Sequence, residues 1–143
     1  MSRPQDQSTT VFHLLQELAK VMRIFQNEAI LCEGVTFSQY CILDHVATRG
    51  GRLDLSDLHG LLSVEKSTTT RMVGPLIERG LLVKEKSNLD SRALELIITD
   101  KGKDIHEKVW ACITGFIDQF LQHIPANDRK NVVESLGIFT RSI

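Results

Sequence analysis

Residues 54–98 constrain this chain most, because they run helix, turn, helix, hairpin with little sequence to spare between the parts. The centre is SVEKSTTTRMVGPLIERGLL, residues 63–82. Read as a helix over about 65–79, it places Thr69, Met72, Val73, Leu76 and Ile77 on one side at i, i+3, i+4 spacing. The opposite stripe holds Ser67, Arg71 and Gly74, with Thr68 and Thr70 on its flanks. Short hydroxyls, one guanidinium and one missing side chain suit close approach to a sugar-phosphate backbone, with the arginine free to reach a guanine edge. Serine and threonine near a helix start also serve simply as caps, a reading that needs no ligand.

The flanks favour the first reading. Upstream, DLSDLHGLLSV reads as a short helix with Asp54 at its N-cap and Asp57 near its positive end. Leu58, Leu61 and Leu62 give it an apolar side, and the joint at 63–65 is short enough for a helix-turn-helix. Downstream, Gly80 ends the second helix as its C′ residue. LLVKEKS and ALELIIT then read as two strands around the polar tip Asn88, Leu89, Asp90 and Ser91. This is the order of a winged helix, whose second helix enters the major groove while the hairpin reaches an adjacent groove or the backbone.

Residues 54–102 resemble the MarR family of winged-helix transcriptional regulators. The resemblance is carried by LSDLHGLLSVEKSTTTRMVGPLIERGLL, by the wing NLDSR, and by ITDKGK opening the next helix. It spans nearly the whole chain in layout and is specific in the middle third. The family's Asp-x-Arg wing motif falls on Asp90 and Arg92, with Ser91 where a second arginine is common. The resemblance implies that Arg92 is the minor-groove residue, that Asp90 orients it, and that Ser67, Thr68 and Arg71 are recognition-helix contacts. Two departures stand out. His59 occupies a position where the family usually has a small residue packed between helices, and Gly60 weakens the same helix by about 1 kcal/mol relative to alanine. Both predict a loosely packed first helix of the motif.

The net charge of −1 argues against a non-specific binder of polyanions. Within 66–92, however, six basic residues (Lys66, Arg71, Arg79, Lys84, Lys86 and Arg92) face three acidic ones (Glu78, Glu85 and Asp90). DNA affinity must come from placement, so Lys66, Thr70, Lys84, Lys86 and Ser91 join the candidate contacts, and salt should weaken binding in proportion to the phosphates touched. The start of the chain has no basic segment followed by an apolar run, and no stretch is long and apolar enough for a membrane. A cytoplasmic location and no membrane partner are expected. Three scattered cysteines are poor evidence for a disulfide framework.

At 143 residues the chain is expected to form a single domain: a winged helix-turn-helix over about 36–99, flanked by helices at about 9–31 and 100–143. The fold class is mainly α with a small β-hairpin wing. A polar tail, unstructured in its first residues, precedes the first helix, whose apolar line is Val11, Leu14, Leu15, Leu18, Met22, Phe25 and Ala29. Gly34 breaks it. Thr36 and Gln39 then form a capping box for a second helix that ends at Gly50-Gly51. Behind the wing, Thr99 caps a long helix to about 123, with Ile105, Val109, Cys112, Ile113, Phe116, Phe120 and Ile124 in line. Pro125 stops it, and a last helix from about 126 carries Val132, Leu136, Phe139 and Ile143. These terminal helices carry more apolar surface than one winged domain needs. The resemblance implies that they are dimerisation helices, pairing across a two-fold axis. A symmetric homodimer presents two recognition helices one DNA turn apart, roughly 34 Å, and so fits a pseudo-palindromic operator in double-stranded DNA. The alternative is a larger monomeric helical core.

A sensor is harder to read. Cys32 and Cys41 flank the turn between the first two helices, and a thiolate switch is conceivable there. Cys41 and Cys112 fall on apolar faces and read as small core residues, which leaves Cys32 as the candidate redox sensor. His45, His106, Asp44 and Glu107 have no tight ligand spacing, so no metal site is expected. For an organic effector, the resemblance points to the cleft between dimer helices and winged domain, with Phe37, Tyr40, Cys41, Trp110 and Ile113 as candidate lining. No cofactor is expected. Nothing assembles a nucleophile, base and orienter; Gly-rich phosphate loops, HExxH and CxxC are lacking, so there is no catalytic site and the chain is not read as an enzyme. The reading is a sequence-specific DNA-binding regulator, a ligand- or redox-responsive repressor. The alternative is a winged-helix protein-interaction adaptor without specific DNA binding, which would need neither an outward Arg71 nor Arg92.

Overall fold

A computed structural model describes the backbone of residues 4–26 and 30–143. The chain divides into two compact units, residues 1–109 and 110–143. In the first, α1 (Pro4–Gln26) is followed by a small hairpin, β1 (Ile30–Cys32) and β2 (Val35–Thr36), then α2 (Phe37–Ala47) and β3 (Arg52–Asp54). The helix-turn-helix follows as α3 (Leu55–Leu62) and α4 (Lys66–Glu78), then the wing strands β4 (Leu82–Lys86) and β5 (Leu94–Ile98). The helix α5 (Asp100–Gln122) begins in this unit and continues into the second, which also holds α6 (Ala126–Thr140).

The mainly α fold class with its small wing is observed. The capping box is formed in full: Gln39 N–H donates to Thr36 Oγ1 and the Gln39 side chain accepts from the Thr36 amide. At the other end of the motif, the Gly102 amide donates to Thr99 Oγ1, capping α5 as expected. Four features differ from the sequence reading. The first helix begins at Pro4, a residue suited to the first helical turn because its missing amide would be unpaired there anyway. It ends by Gln26, and Ile30–Cys32 is a strand rather than helix; the Ala29 of the expected apolar line lies outside the described residues. The wing is a three-stranded sheet of order β3-β5-β4, because Arg52–Asp54 pairs antiparallel with β5 at Leu53↔Leu96. Asp54 occupies the N-cap position of α3 but makes no side-chain capping bond.

The core of this unit lies where α2, α3, α4 and the sheet meet. Ile42, Leu43, Val46, Leu58, Leu76, Leu81, Leu82, Leu96 and Val109 have no solvent exposure. Removing such side chains from water contributes roughly 1.5–3 kcal/mol each. On β5 the inward positions are Leu96 and Ile98, alternating with half-buried Glu95 and Ile97 as a sheet covered on one face requires. Gly102 meets the wing root so closely that a Cβ there would overlap the Leu81 carbonyl oxygen. By contrast, α1 is exposed throughout Asp6–Arg23, Leu14 and Leu18 included.

In the second unit, the rings of Phe116 and Phe120 stack edge to face at 4.8 Å. Arg129 closes the turn before α6 by donating from Nε to the Ile124 carbonyl at 3.0 Å. No residue of α6 is buried, and Leu136, Ile138 and Phe139 are exposed. Among the described residues, no helix is long and apolar enough to cross a membrane.

Candidate nucleic-acid interface

The recognition helix is α4. Its inner face is Thr69, Val73 and Leu76, all buried, with Met72 and Ile77 half-buried beside them. Its outer face presents Lys66, Ser67, Thr70 and Arg71 to solvent, with Thr68 half-buried on the flank. Thr70 Oγ1 donates to the Lys66 carbonyl at 3.0 Å, which leaves its lone pairs outward. Pro75 within the helix removes the amide that would have bonded the Arg71 carbonyl, so the last turn is held by packing and by its cap rather than by a complete ladder.

The joint between the two helices turns on Ser63, which is left-handed at φ 52°. The first helix of the motif buries one residue and is tied to the second at one polar contact. Leu58 is fully buried, and His59 Nδ1 lies 3.2 Å from the hydroxyl of buried Thr69. The imidazole thus satisfies a hydroxyl that burial would otherwise strand, a polar tie in place of the expected small residue. Gly60 is exposed, and a Cβ there would meet nothing, so its cost is confined to helix propensity.

At the wing, Asp90, Ser91 and Arg92 are exposed at the tip, with Leu89 fully so. Asp90 Oδ1 accepts the backbone N–H of Arg92 at 2.9 Å, and the Ala93 amide bonds the Asp90 carbonyl at 3.0 Å. Asp90 therefore orders Arg92 through the main chain, as a side chain folded back on its own turn does. Lys84 and Lys86 are exposed on β4, the edge strand, opposite Leu96 and Leu94 in the register. Among the described residues, Lys66, Arg71, Lys84, Lys86 and Arg92 make no ion pair.

One cavity of about 250 Å³ joins these parts: Lys66 and Thr70 from α4, Ser56 and His59 from α3, and Arg92 from the wing surround an apolar floor of Leu55 and Leu94. Residues singled out separately on helix and wing thus share one surface. Its cations, hydroxyls and amide-rich turns are the groups that position a nucleic-acid backbone.

Arg79 does not belong to that surface. Its guanidinium turns inward, donating from Nη1 to the Gly34 carbonyl at 2.8 Å and from Nη2 to the Glu33 carbonyl at 2.7 Å. Counting charges along the sequence included it among the free cations, since nothing local announces an acceptor 45 residues away.

The expected effector residues divide. Phe37, Tyr40 and Cys41 lie on α2 in the first unit; Trp110 and Ile113 lie in the second, where Trp110 is about half exposed. Tyr40 is buried, stacks on His106 at 5.4 Å, and donates to Asp44 Oδ1, which also accepts from His106 Nε2 at 2.9 Å. Burial first, and then the Asp44 charge, push the Tyr40 hydroxyl and the Cys41 thiol above their ordinary values. His45 points to Arg49 instead of this cluster. Among the described residues, no three His, Cys, Asp or Glu side chains are grouped to hold a metal. The cysteine exposures reverse the expectation: Cys112 is exposed, whereas Cys32 is half-buried with Sγ 3.7 Å from the Lys108 carbonyl. The apolar line of α5 is buried only at Ile105 and Val109, so Cys112, further along, is left outside it.

A helix-turn-helix followed by a wing beside its second helix is the architecture of a winged helix. Residues 33–93 match the sequence profile of the MarR family, over the winged helix-turn-helix. The chain is 33% identical over 91 residues to a putative transcriptional regulatory protein for the hcr operon of Thauera aromatica, covering 64% of this chain and 54% of that one. It is 21% identical over 132 residues to the HTH-type transcriptional regulator BilQ of Clostridioides difficile, covering 92% and 88%. The crystal structure of the PcaV transcriptional regulator of Streptomyces coelicolor superposes with a TM-score of 0.70 at 25% identity, over 99% of this chain and 98% of that one. The family that this part of the chain matches consists of transcription regulators.

Proposed function

We propose that the protein is a cytoplasmic, homodimeric repressor that occupies a pseudo-palindromic operator and is released by a small molecule. The observation that carries the DNA-reading part is the shared surface of Lys66, Thr70 and Arg92, with Ser67 and Arg71 exposed beside it. Ser67, Thr68, Thr70 and Lys66 contact phosphate, Arg71 reads base edges in the major groove, and Arg92 enters the minor groove from a wing ordered by Asp90, with Ser91 beside it as a further contact. Lys84 and Lys86 add backbone contacts along β4.

Support for the dimer comes from apolar side chains uncovered in the single chain, on α1 and separately on α5 and α6. Patches of this extent are uncommon on monomers. In this reading residues 1–143 act as one functional domain, with the winged part at 36–99 and dimerisation helices on either side. The PcaV protein was solved with its natural ligand, and that supports a small-molecule effector here. Phe37, Tyr40 and Cys41, which share α2, remain the proposed lining from the first unit. Repression follows from blocking polymerase, and release from a small change in the spacing of two helices that must fit successive major grooves together.

The test is binding of the purified protein to its own upstream DNA by fluorescence anisotropy across a salt series. Tight binding that resists competitor DNA, at two subunits per site, is expected. Binding no tighter than to random duplex, followed by failure to enrich any sequence from a random pool, would favour a winged-helix adaptor that docks on protein instead.

A further inference from the structure

The recognition helix is seated on the core through Thr69, one turn from its start, and through Val73 and Leu76 beyond it. Ahead of Thr69 its DNA-facing end has no side-chain cap: the N-cap Glu65 makes no side-chain capping bond, and the preceding joint turns on left-handed Ser63. Its far end is fastened from several sides. Thr99 Oγ1 donates to the Gly80 carbonyl at 2.6 Å, and Lys101 Nζ donates to the Arg79 carbonyl at 2.9 Å. The Arg79 guanidinium grips the carbonyls of Glu33 and Gly34.

Those two carbonyls are unusual acceptors. Glu33 and Gly34 are both left-handed, at φ 55° and 70°, and together they close the turn between β1 and β2. The turn offers both oxygens to one side, where a planar guanidinium takes them as a pair. A lysine, a single point charge, takes only one at a time. The site for a Cβ on Gly34 lies 3.5 Å from Arg79 Nη1, so the guanidinium rests against the glycine itself. The hairpin gripped in this way is the segment of chain between α1 and α2.

We infer that Arg79 is a positioning residue for DNA recognition, fixing the tilt of the recognition helix relative to the α1–α2 turn. The 13 residues of α4 make a rod of about 20 Å, so a rocking of roughly 5° at its far end moves Ser67 by about 1.5 Å. A dimer carries two such rods, and their errors add across the operator. Arg79 thus sets how sharply the protein discriminates the distance between half-sites, without touching DNA. This inference rests on the operator reading proposed above.

The test uses the full chain and the duplex that the wild type selects from a random pool, together with versions that have one base pair inserted or removed at the centre. Wild type is expected to lose on the order of a hundredfold in affinity for the altered spacings. R79A should bind the selected duplex about tenfold more weakly, lose only a few-fold more on the altered spacings, and keep the wild-type salt slope. R79K, which keeps the charge but not the paired donors, should fall between the two, and it carries the test if circular dichroism finds R79A unfolded. A spacing penalty in R79A, or in a folded R79K standing in for it, equal to that of wild type overturns the inference alone. So does a salt slope reduced by about one, which would make Arg79 a phosphate contact. A wild type indifferent to spacing overturns the operator reading, and this inference with it.

Discussion

The winged core and the helix that precedes it have equally regular apolar patterns and opposite fates. Along α4, the apolar positions at helical spacing are buried by α2, α3 and the sheet, and Leu76 has no exposure at all. Along α1, Leu14, Leu15, Leu18 and Met22 keep the same spacing, yet Leu14 is 58% and Leu18 48% exposed. Periodicity reports that a face needs covering, not what covers it. The winged core finds its cover within one chain, whereas α1 requires a second surface.

That contrast can be broken at several points. Leu76→Ala should cost about 2–5 kcal/mol of unfolding free energy in urea titrations, because the cavity opens in a fully packed site. Leu18→Glu should barely alter the secondary structure seen by circular dichroism, but should raise the dimer dissociation constant about a hundredfold in sedimentation equilibrium, about 2.7 kcal/mol. An unchanged dissociation constant would mean that α1 is covered by something other than a second copy. On the exposed face of the winged core, Arg92→Ala should weaken operator binding by about 1–3 kcal/mol with the dimer intact, and Arg71→Ala should relax base preference more than Ser67→Ala does. Equal losses on every duplex would remove Arg71 from base reading.

The smallest effect concerns pH. Cys41 and Tyr40 are shifted upward from 9.0 and 10.0, so the unfolded chain releases these protons before the folded one does. Their contribution is complete below about pH 9 and declines as the pH rises beyond it, since the unfolded state then binds fewer protons. Tyr40→Phe should make the decline in stability above pH 10 shallower, as followed by urea midpoints at successive pH values.

The helix-turn-helix, the wing and both threonine caps were legible because each is a local pattern: a 3.6-residue period, a glycine stop, a hydroxyl three residues before its partner. What was not legible is non-local. Strand β3 has three residues, too few for alternation, and exists because Leu53 meets Leu96. Once Asp54 ends a strand, it makes no side-chain cap at the helix start. Arg79 reads as a surface cation until its acceptors are known. The wing motif placed Arg92 at the wing tip, but the way Asp90 orders it, through an amide, is a matter of turn geometry. Exposure of the cysteines followed from where the apolar line of α5 ceases to be covered, which its periodicity does not encode.

The contact at Gly102 has a mechanical consequence. With no atom to spare between the first turn of α5 and the Leu81 carbonyl, and with Thr99 bonded to the same carbonyl, the two segments have no play between them. A joint without backlash transmits displacement at full amplitude. When α5 slides or twists at its base, the root of the wing is carried along by the same distance, and Arg92 at the tip swings with it.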